Sequence, residues 1–528
     1  MAISIAADAA RPGSPLAHSW SEVVGAGRAA EGLRAGWQEH LKDAAGRCGF
    51  RYVRFHGLFH DDMFVLRQDA AGRIYHTFHY VDDVFDRMLE SGVRPFVEFG
   101  FSPGALAREH ATTFWWGANG APPTDMAAWT DLITATVRHW IGRYGADEVA
   151  RWYFEVWNEP NLHNFFRGTR SEYFALYEAT VRAVKAVDPR LRVGGPATSN
   201  FVPDARFAGE REDTAQHAVV LDAENLDALD WRPVWLEEFL AFCAARGLPV
   251  DFVSTHPYPT DWALDGHGGQ HKEFVRGSDA TVRDLRLLRE IVDSGPYPDA
   301  EIHLTEWNSS PSPRDHAHDH MPAATFVVKS QVESAGLVDS LAHWVFTDVF
   351  EEGGAGDGIF HGGFGMVTYQ GVPKPVFHAY RMLHALGDEL LGRAPGAVAT
   401  RHGGTGALAV LAYHYPEQQR SAPPKAAVRD EALAVQQVGE DTPLRVELRG
   451  LRPGARIVVE TLAVGSGDAT TAWRAMGSPD FPTREQTAEL RAAAEDVRRR
   501  ELAADGAGTF VLAETVTPWS VVLVREER

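Results

Sequence analysis

Up to about residue 388, short apolar runs alternate with stretches in which apolar residues recur at helical spacing. Eight of these runs end in polar or glycine-rich segments, as buried parallel strands do. The runs are Ser21–Gly25, Arg51–Gly57, Arg94–Gly100, Trp152–Trp157, Leu191–Pro196, Asp251–Tyr258, Glu301–Glu306 and Ser340–Phe346. The helical pattern covers residues 30–47, 125–143, 171–187, 234–246, 281–292, 322–336 and 376–387, and Thr169 and Glu172 are spaced as a capping box.

Alternation of strand and helix over eight units predicts an α/β fold, a (β/α)8 TIM barrel, over residues 15–387. The competing fold is an open doubly wound sheet, which usually carries a glycine-rich phosphate loop after its first strand. The corresponding segment, Val24 to Ala29, lacks the third glycine of that loop. The pattern therefore favours the barrel.

The pattern changes after residue 388, where short alternating strands replace the strand–helix repeat. Residues 388–528, possibly joined by residues 1–14, are predicted to form an all-β, sandwich-like accessory domain. Its predicted strands lie at 407–413, 444–448, 456–460, 508–512 and 520–524, with a polar segment at 416–442 and a helical insert at 483–502. Ile3–Ile5 is predicted to add an edge strand.

The composition says little about the fold but excludes several classes of partner and site. The net charge of −21 argues against nucleic acid and against an anionic membrane surface as partners. Cys48 and Cys243 are the only cysteines, which excludes a disulfide framework and a thiolate metal cluster. The N-terminus lacks the features of a signal peptide and the sequence has no apolar run of membrane-spanning length, so the predicted location is the cytoplasm. The sequence gives no basis for predicting an oligomeric state.

Two glutamates stand at the ends of predicted strands. Glu159 follows Trp152–Trp157 and precedes Pro160, which cannot continue a central strand, and Glu306 ends the seventh run. In a barrel both would reach the mouth formed by the carboxyl ends of the strands. Glycosidic bond cleavage needs such a pair, one to protonate the leaving oxygen and one to attack the anomeric carbon or activate water. The sequence leaves open both retention and inversion, because it does not give the distance between the carboxyls.

Neighbouring residues add to this prediction. Asn158 can hydrogen-bond a sugar 2-hydroxyl, a contact that strengthens in the transition state. Tyr258 and His256 end the neighbouring sixth strand, where hydrogen bonds to Glu306 would keep it ionised. His56, Glu98 and Trp344 also lie at or near strand ends.

Several motifs resemble those of a known enzyme family. Trp157-Asn-Glu-Pro-Asn161 and Thr305-Glu-Trp-Asn-Ser-Ser310 are similar to the two signatures of retaining barrel glycosidases, and more narrowly of glycoside hydrolase family 39, which contains β-xylosidases and α-L-iduronidases. Further segments resemble the xylosidase branch: Arg54–Leu58, Asp348–Glu352, Phe360–Gly365 and Pro373–Pro375. The resemblance implies Glu159 as general acid/base and Glu306 as nucleophile. It also implies that the sugar site is lined by His56, Asn158, His256, Trp344 and Glu351. The loop from Thr260 to Glu273 departs from the family pattern.

The predicted function is therefore a retaining exo-β-xylosidase that releases xylose from xylo-oligosaccharides without a metal ion or cofactor. One alternative is a related exo-glycosidase acting on an arabinoside, a galactoside or an α-L-iduronide; for an iduronide, Arg167 is the one candidate to face the substrate carboxylate. Another alternative is a sugar-binding barrel without activity, and a third is a metal-dependent hydrolase.

Four further segments carry separate predictions. The histidines at 316, 318 and 320 are interpreted as a solvated loop rather than as metal ligands. The glycine-rich segment after Glu351 is predicted to be a mobile loop that carries this residue into the site. Trp115 and Trp116 are either a sugar platform or packing for a long loop, and Arg498–Arg500 is predicted to be a solvated helix face.

Overall fold

The computed structural model describes residues 2–217, 223–264 and 270–527. Eight parallel strands form a closed barrel in which each strand pairs with the next along the chain and the last pairs with the first. They span Val23–Arg28, Tyr52–His56, Arg94–Phe99, Tyr153–Val156, Arg192–Ser199, Phe252–His256, Glu301–Trp307 and Ser340–His343. Each strand overlaps one of the predicted apolar runs, which confirms the predicted (β/α)8 barrel. The strands are buried on both faces, which is why they read as nearly continuous apolar runs.

Helices surround the barrel and begin and end close to the predicted positions. They span Ala35–Cys48, His79–Glu90, Met126–Tyr144, Ala146–Val149, Arg170–Val187, Leu236–Arg246, Ala280–Ser294, Met321–Ser334 and Pro375–His384. The capping box is confirmed, because Thr169 Oγ1 accepts from the Glu172 amide while the Glu172 side chain accepts from the Thr169 amide. The helices His79–Glu90 and Ala146–Val149 were not among the predicted ranges. None of the helices in the described ranges is both long and apolar enough to cross a bilayer.

Apart from four two-stranded sheets in the barrel loops, the strands outside the barrel form two larger sheets, in agreement with the predicted sandwich-like part. A three-stranded sheet has the order Ile3–Asp8, Thr442–Arg449, Phe510–Val516, so the N-terminal edge strand is confirmed. A seven-stranded sheet has the order Ser14–Pro15, Glu389–Ala394, Ala397–Arg401, Leu408–Tyr413, Val521–Glu526, Arg456–Leu462, Arg498–Ala503. Three helices lie among these strands, Arg429–Gln436, Ala469–Ala475 and Arg484–Glu495.

The prediction of a helix through residue 502 is wrong for its second half. The helix ends at Glu495, and Arg498–Ala503 is an edge strand that pairs antiparallel with Arg456–Leu462. Arg498–Arg500 therefore lies on an exposed strand and not on a helix. Cross-strand ion pairs such as Arg456–Glu501 accompany this pairing.

The central strands of the seven-stranded sheet, Leu408–Tyr413 and Val521–Glu526, are buried on both faces. Leu411, Tyr413 and Leu523 pack in one hydrophobic cluster with barrel residues such as Phe326 and Tyr380. Their neighbours along the same strands, including Leu408 and Val410, pack instead against the three-stranded sheet. This alternation follows from the two-residue period of a strand.

The loop from Thr260 to Glu273, which departs from the family pattern, is described in part. Thr260–Leu264 pairs antiparallel with Gln270–Val275, and residues 265–269 of that loop lie outside the described residues.

Candidate active site

The backbone at the end of the fourth barrel strand turns sharply to present Glu159. Trp157 and Glu159 both have positive φ, 71° and 45°, a conformation that is uncommon for residues with a side chain and that recurs at functional sites. The Glu159 amide donates to Ala197 O over 2.9 Å. Asn161 fastens the turn to the fifth strand, since its Nδ2 donates to Ser199 O and its Oδ1 accepts from the Ser199 amide. The position of Glu159 is therefore set by two strands.

A cavity of about 270 Å³ opens at the carboxyl ends of the strands. Of the predicted site residues, Glu159, Glu306, His56, Asn158, Tyr258 and Trp344 line it. His256 is fully buried beside it and contacts Glu159, with Nδ1 3.0 Å from Oε1. The other lining residues are Phe114, Leu162, Asn164, Phe165, Ser199, Asn200, Arg206, Glu212, Pro311, Glu352 and Phe364.

The two glutamates are close together. A carboxylate oxygen of Glu159, one of Glu306 and a ring nitrogen of His256 all lie within 4.8 Å of one another. Retaining glycosidases hold their two carboxyl groups about 5 to 5.5 Å apart, whereas inverting enzymes leave about 6.5 to 9.5 Å for a water molecule. An approach of two oxygens within 4.8 Å agrees better with the spacing of a retaining pair than with that of an inverting pair.

The hydrogen-bond partners of Glu306 favour its ionised form. Tyr258 Oη donates to Oε1 over 2.8 Å, and Arg54 Nη1 donates to Oε2 over 3.3 Å. Burial, together with the negative charge of Glu159, nevertheless raises the pKa of Glu306 to about 7, against the opposing charge of Arg54. The prediction that Tyr258 contacts this carboxylate agrees with the geometry, whereas the shorter contact of His256 is to Glu159.

Glu159 has fewer charged donors. Burial raises its pKa to about 7, and a hydrogen bond from Ser199 and the charges of His56 and Arg54 oppose this. Since burial raises the pKa of both glutamates and the two carboxyls lie next to each other, sharing one proton is favoured over ionising both. The donors to Glu306 favour placing that proton on Glu159.

Arg54 organises the base of the site, a role that the sequence analysis did not assign. Its Nε donates to Glu155 Oε2 over 2.8 Å and its Nη2 to Asn158 Oδ1 over 2.7 Å, in addition to the bond to Glu306. With Oδ1 of Asn158 held in this way, the amide hydrogens of Asn158 are the groups that can face a ligand. Glu98, within the third strand, accepts from His56 Nδ1 over 2.6 Å, and lies 3.0 Å from Arg54.

His56 is a second cation at the cavity wall. Burial alone would lower its pKa, but Glu98 and Glu352 outweigh burial and raise the pKa to about 10. Its Nε2 lies 3.5 Å from Glu352 Oε1 and 4.0 Å from Glu306 Oε2. The imidazolium can therefore donate to a hydroxyl bound between these carboxylates.

Trp344 lies over the end of the first strand. A Cβ on Gly25 would come within 2.4 Å of Trp344 Cε3, so glycine at this position is what allows the indole to occupy the site. Phe364 and Phe350 pack in the same cluster as Trp344, and Phe364 also lines the cavity. These rings give the site an apolar wall beside its carboxylates.

The structure places Glu352 at the cavity wall where Glu351 was expected. Glu351 is ion-paired with Arg28 and Arg34, which turn its carboxylate away from the cavity. Two adjacent glutamates follow the eighth strand, and no signal in the sequence distinguishes them. The basic partners on the first βα connection decide which one faces the ligand.

The prediction that the three histidines at 316–320 form a solvated loop is wrong, because His318 and His320 are buried, with exposed fractions of 3% and 4%. His318 Nδ1 lies 3.2 Å from Gly362 O, and His320 Nδ1 lies 3.2 Å from Thr470 Oγ1. Across the described part of the chain, the group of His, Cys, Asp and Glu side chains compact enough to share a metal ion is Glu159, His256 and Glu306. The oxygens of Glu306 already accept from Tyr258 and Arg54, so this trio is arranged for proton transfer.

The paired tryptophans have different environments. Trp116 is buried and stacks on Phe114, whereas the side chain of Trp115 is 68% exposed. The Trp115 amide donates to Glu352 O over 2.8 Å, which places this residue next to the cavity wall. Trp116 is therefore packing, and Trp115 is available to a ligand.

Comparison with known proteins agrees with this geometry. The model of the glycosyl hydrolases family 39 matches residues 3–509. A β-xylosidase of Geobacillus stearothermophilus is 34% identical over 525 residues, which cover 97% of this chain and 93% of that protein. The crystal structure of a family 39 enzyme from Xanthomonas axonopodis pv. citri superposes with a TM-score of 0.85 at 33% identity, covering 100% of this chain and 98% of the other. A monomeric β-xylosidase from Caulobacter crescentus gives 0.83 at 33% identity, covering 100% and 99%. The chain belongs to the glycosyl hydrolases of family 39.

Proposed function

We propose that this protein is a retaining β-xylosidase that removes xylose from the non-reducing ends of xylo-oligosaccharides. The observation that carries the proposal is the pair of buried glutamates whose oxygens approach within 4.8 Å at the mouth of a barrel. That approach suits direct attack by one carboxylate and is shorter than the spacing of about 6.5 to 9.5 Å that an inverting mechanism uses.

In the proposed reaction Glu306 attacks the anomeric carbon while Glu159 protonates the leaving oxygen. Water, deprotonated by Glu159, then attacks the same carbon and releases Glu306. Tyr258 and Arg54 stabilise Glu306 as the anion before attack. Asn158, with Oδ1 held by Arg54, donates to the 2-hydroxyl, a bond that strengthens as charge develops on the ring.

The charge of the cavity wall favours a neutral sugar. Four glutamates line the cavity, Glu159, Glu212, Glu306 and Glu352, and with one proton on Glu159 they leave three carboxylates against two cations, Arg206 and the imidazolium of His56. Arg167, the sequence-based candidate for holding a uronate, is not among the lining residues. An iduronide would bring its own carboxylate into an already acidic site, which like-charge repulsion disfavours.

The size of the cavity favours exo cleavage. A volume of about 270 Å³ lies at the lower end of small-molecule pockets and suits one terminal sugar better than a long chain. Xylose lacks the 5-substituent of hexoses, so it also needs the least space. Short oligosaccharides are therefore the proposed substrates, and the cytoplasmic location stays a prediction.

The test is release of nitrophenol from β-D-xyloside, α-L-arabinoside, β-D-galactoside and α-L-iduronide substrates, with Glu306→Ala as control. We expect xyloside turnover to dominate and to disappear in the variant. If the protein instead hydrolyses a glycoside of another sugar, and this activity disappears in Glu306→Ala, the proposed mechanism stands and the proposed sugar is wrong. Turnover that survives in Glu306→Ala would contradict the assigned nucleophile.

A further inference from the structure

A chain of hydrogen bonds crosses the barrel interior and ends at the proposed acid. Arg54 Nε donates to Glu155 Oε2 over 2.8 Å, and Thr305 Oγ1 donates to Glu155 Oε1 over 2.8 Å. Thr305 Oγ1 also lies 2.9 Å from His256 Nε2, and His256 Nδ1 lies 3.0 Å from Glu159 Oε1. The side chains of Glu155, Thr305 and His256 are completely buried. Water therefore does not replace any link of this chain.

The direction of each hydrogen bond follows from the groups involved. A carboxylate paired with a guanidinium can only accept, so the single hydroxyl hydrogen of Thr305 points to Glu155. Thr305 Oγ1 can then only accept from His256, which requires a hydrogen on Nε2. In the neutral imidazole the other nitrogen, Nδ1, is then an acceptor. Burial lowers the pKa of His256 to about 4, in keeping with a neutral ring.

We infer that Glu155 and Thr305 are positioning residues that fix the tautomer of His256, and that the Nδ1 lone pair of His256 keeps the proton on Glu159. An ionised Glu159 would place an oxygen lone pair against the nitrogen lone pair, whereas the protonated acid donates to it. The inference rests on the proposed role of Glu159 as general acid/base.

The same contact assists both halves of the reaction. In the first half the proton of Glu159 passes to the leaving oxygen as the C1–O bond breaks and the bond from Glu306 to C1 forms. Glu159 is then a carboxylate that faces the lone pair of Nδ1, which raises its affinity for a proton. In the second half it takes a proton from water as the water oxygen bonds to C1 and the bond to Glu306 breaks.

Other charged and titratable groups also face the pair of Glu159 and His256. They are Arg54 and His56 from the second strand, Glu155 from the fourth, Tyr258 after the sixth, Glu306 from the seventh and Glu352 after the eighth. None of them is changed in the variants below. Differences between those variants therefore report on the link through Thr305.

The test compares Thr305→Val, which keeps the side-chain shape and removes the hydroxyl, with Thr305→Ser, which keeps the hydroxyl. In Thr305→Val the Nε2 hydrogen loses its acceptor, so the hydrogen can move to Nδ1 and donate to ionised Glu159, which lowers the pKa of Glu159. We expect the alkaline limb of the kcat/KM profile on xylobiose to move to lower pH by about one unit, and to return in Thr305→Ser. A lower rate at every pH with the alkaline limb unmoved would overturn the inference.

A second readout needs no substrate. The ring nitrogens of His256 in 15N-labelled protein, assigned by their loss in His256→Asn, report the tautomer directly. We expect a protonated Nε2 and an unprotonated Nδ1 in the unmodified protein and in Thr305→Ser. A hydrogen on Nδ1 of a neutral His256 in the unmodified protein would overturn the inference even if the protein hydrolysed no xyloside. If the tautomer is as expected but xylosides are not hydrolysed, the proposed substrate is wrong and the inferred chain of hydrogen bonds stands.

Discussion

Glu159 and Glu306 are both buried, with exposed fractions of 5% and 9%, yet their partners differ in charge and in direction. Glu306 accepts from Tyr258 and Arg54, two donors that stabilise an anion. Glu159 faces the Nδ1 lone pair of a buried neutral histidine. Two identical side chains therefore acquire opposite protonation states from the groups around them, which is what acid–nucleophile chemistry requires.

The roles can be separated with leaving groups. Glu159→Ala should lower kcat/KM for xylobiose, whose leaving alcohol needs protonation, by roughly 10²- to 10⁴-fold. The value of kcat/KM reports the steps up to and including formation of the glycosyl-enzyme. A dinitrophenyl xyloside releases a stable anion in that step without protonation, so its kcat/KM should fall much less. The measurement is kcat/KM for both substrates on the variant and the unmodified protein.

Glu306→Ala is the matched variant, because it should abolish both reactions. Equal losses on both substrates in Glu159→Ala would contradict the assignment of this residue as the acid.

For single residues, the sequence predicted which side chains lie in the cavity better than it predicted which partners they contact. Pro160 after Asn158 and Glu159 marked the strand end, and the structure places both side chains in the cavity. Arg54 and Glu155 were visible as charged residues inside apolar runs, a pattern that indicates buried pairing. The choice between Glu351 and Glu352 depends on ion pairs to Arg28 and Arg34, more than 300 residues away in sequence, so local patterns could not reveal it.

At the scale of elements, the loop segment that carries Phe364 to the cavity is anchored by a buried ion pair. A buried lysine, Lys374, lies between Asp319 and Asp348, with Nζ 2.7 and 2.8 Å from their oxygens. It also donates to Gly363 O over 2.9 Å. Two buried carboxylates around one cation fix the segment that carries Phe364 to the cavity. The glycine-rich segment after Glu352 thus ends in a firmly anchored stretch.

The segment Phe114–Trp116 supplies the next prediction. Trp115 is exposed and hydrogen-bonded through its backbone to the residue that lines the cavity, so its ring can stack on the sugar next to the cleaved one. Trp115→Ala should reduce kcat/KM for xylobiose roughly 2- to 12-fold, the equivalent of the 0.5–1.5 kcal/mol typical of aromatic ring contacts. Kinetics on β-xylosyl fluoride, which has no second ring, should be unchanged.

Tyr369→Ala is a suitable control, because this aromatic residue is 54% exposed and is not among the cavity-lining residues. An equal loss on xylobiose and on the fluoride in Trp115→Ala would mean that the indole supports the loop and does not bind sugar.

Helices and strands could be predicted from the apolar pattern wherever their burial produces such a pattern. Strands of the barrel are buried on both faces and helices on one, so their patterns are distinct. Arg498–Ala503 is exposed along most of its length and carries almost no pattern. Only its pairing with Arg456–Leu462 makes it a strand, and that pairing is a tertiary contact that the sequence does not display.

On the scale of the whole molecule, the barrel and the sandwich share a hydrophobic core. Leu411 and Leu523 of the seven-stranded sheet lie in the same cluster as barrel residues, and Thr325 Oγ1 on a barrel helix donates to Trp519 O over 2.5 Å. The division into residues 15–387 and 388–528, with 1–14 on the sandwich side, stays a prediction. We propose that the two parts unfold together, because removing the sandwich would expose this shared apolar surface.

Two leucines on one strand test this proposal. Leu411 and Leu408 are both fully buried, but Leu411 packs toward the barrel and Leu408 toward the three-stranded sheet. Each substitution by alanine should cost about 2–5 kcal/mol, which for a chain of this length lowers the melting temperature by about 2–5 °C. If barrel and sandwich form one cooperative unit, both variants shift the same calorimetric transition, and activity is lost at that shifted temperature in both. If the sandwich is independent, the unmodified protein shows two transitions, and Leu408→Ala moves one of them without changing the temperature at which activity is lost. The interior of the sandwich would then be uncoupled from the active site, and the proposed single unit would be wrong.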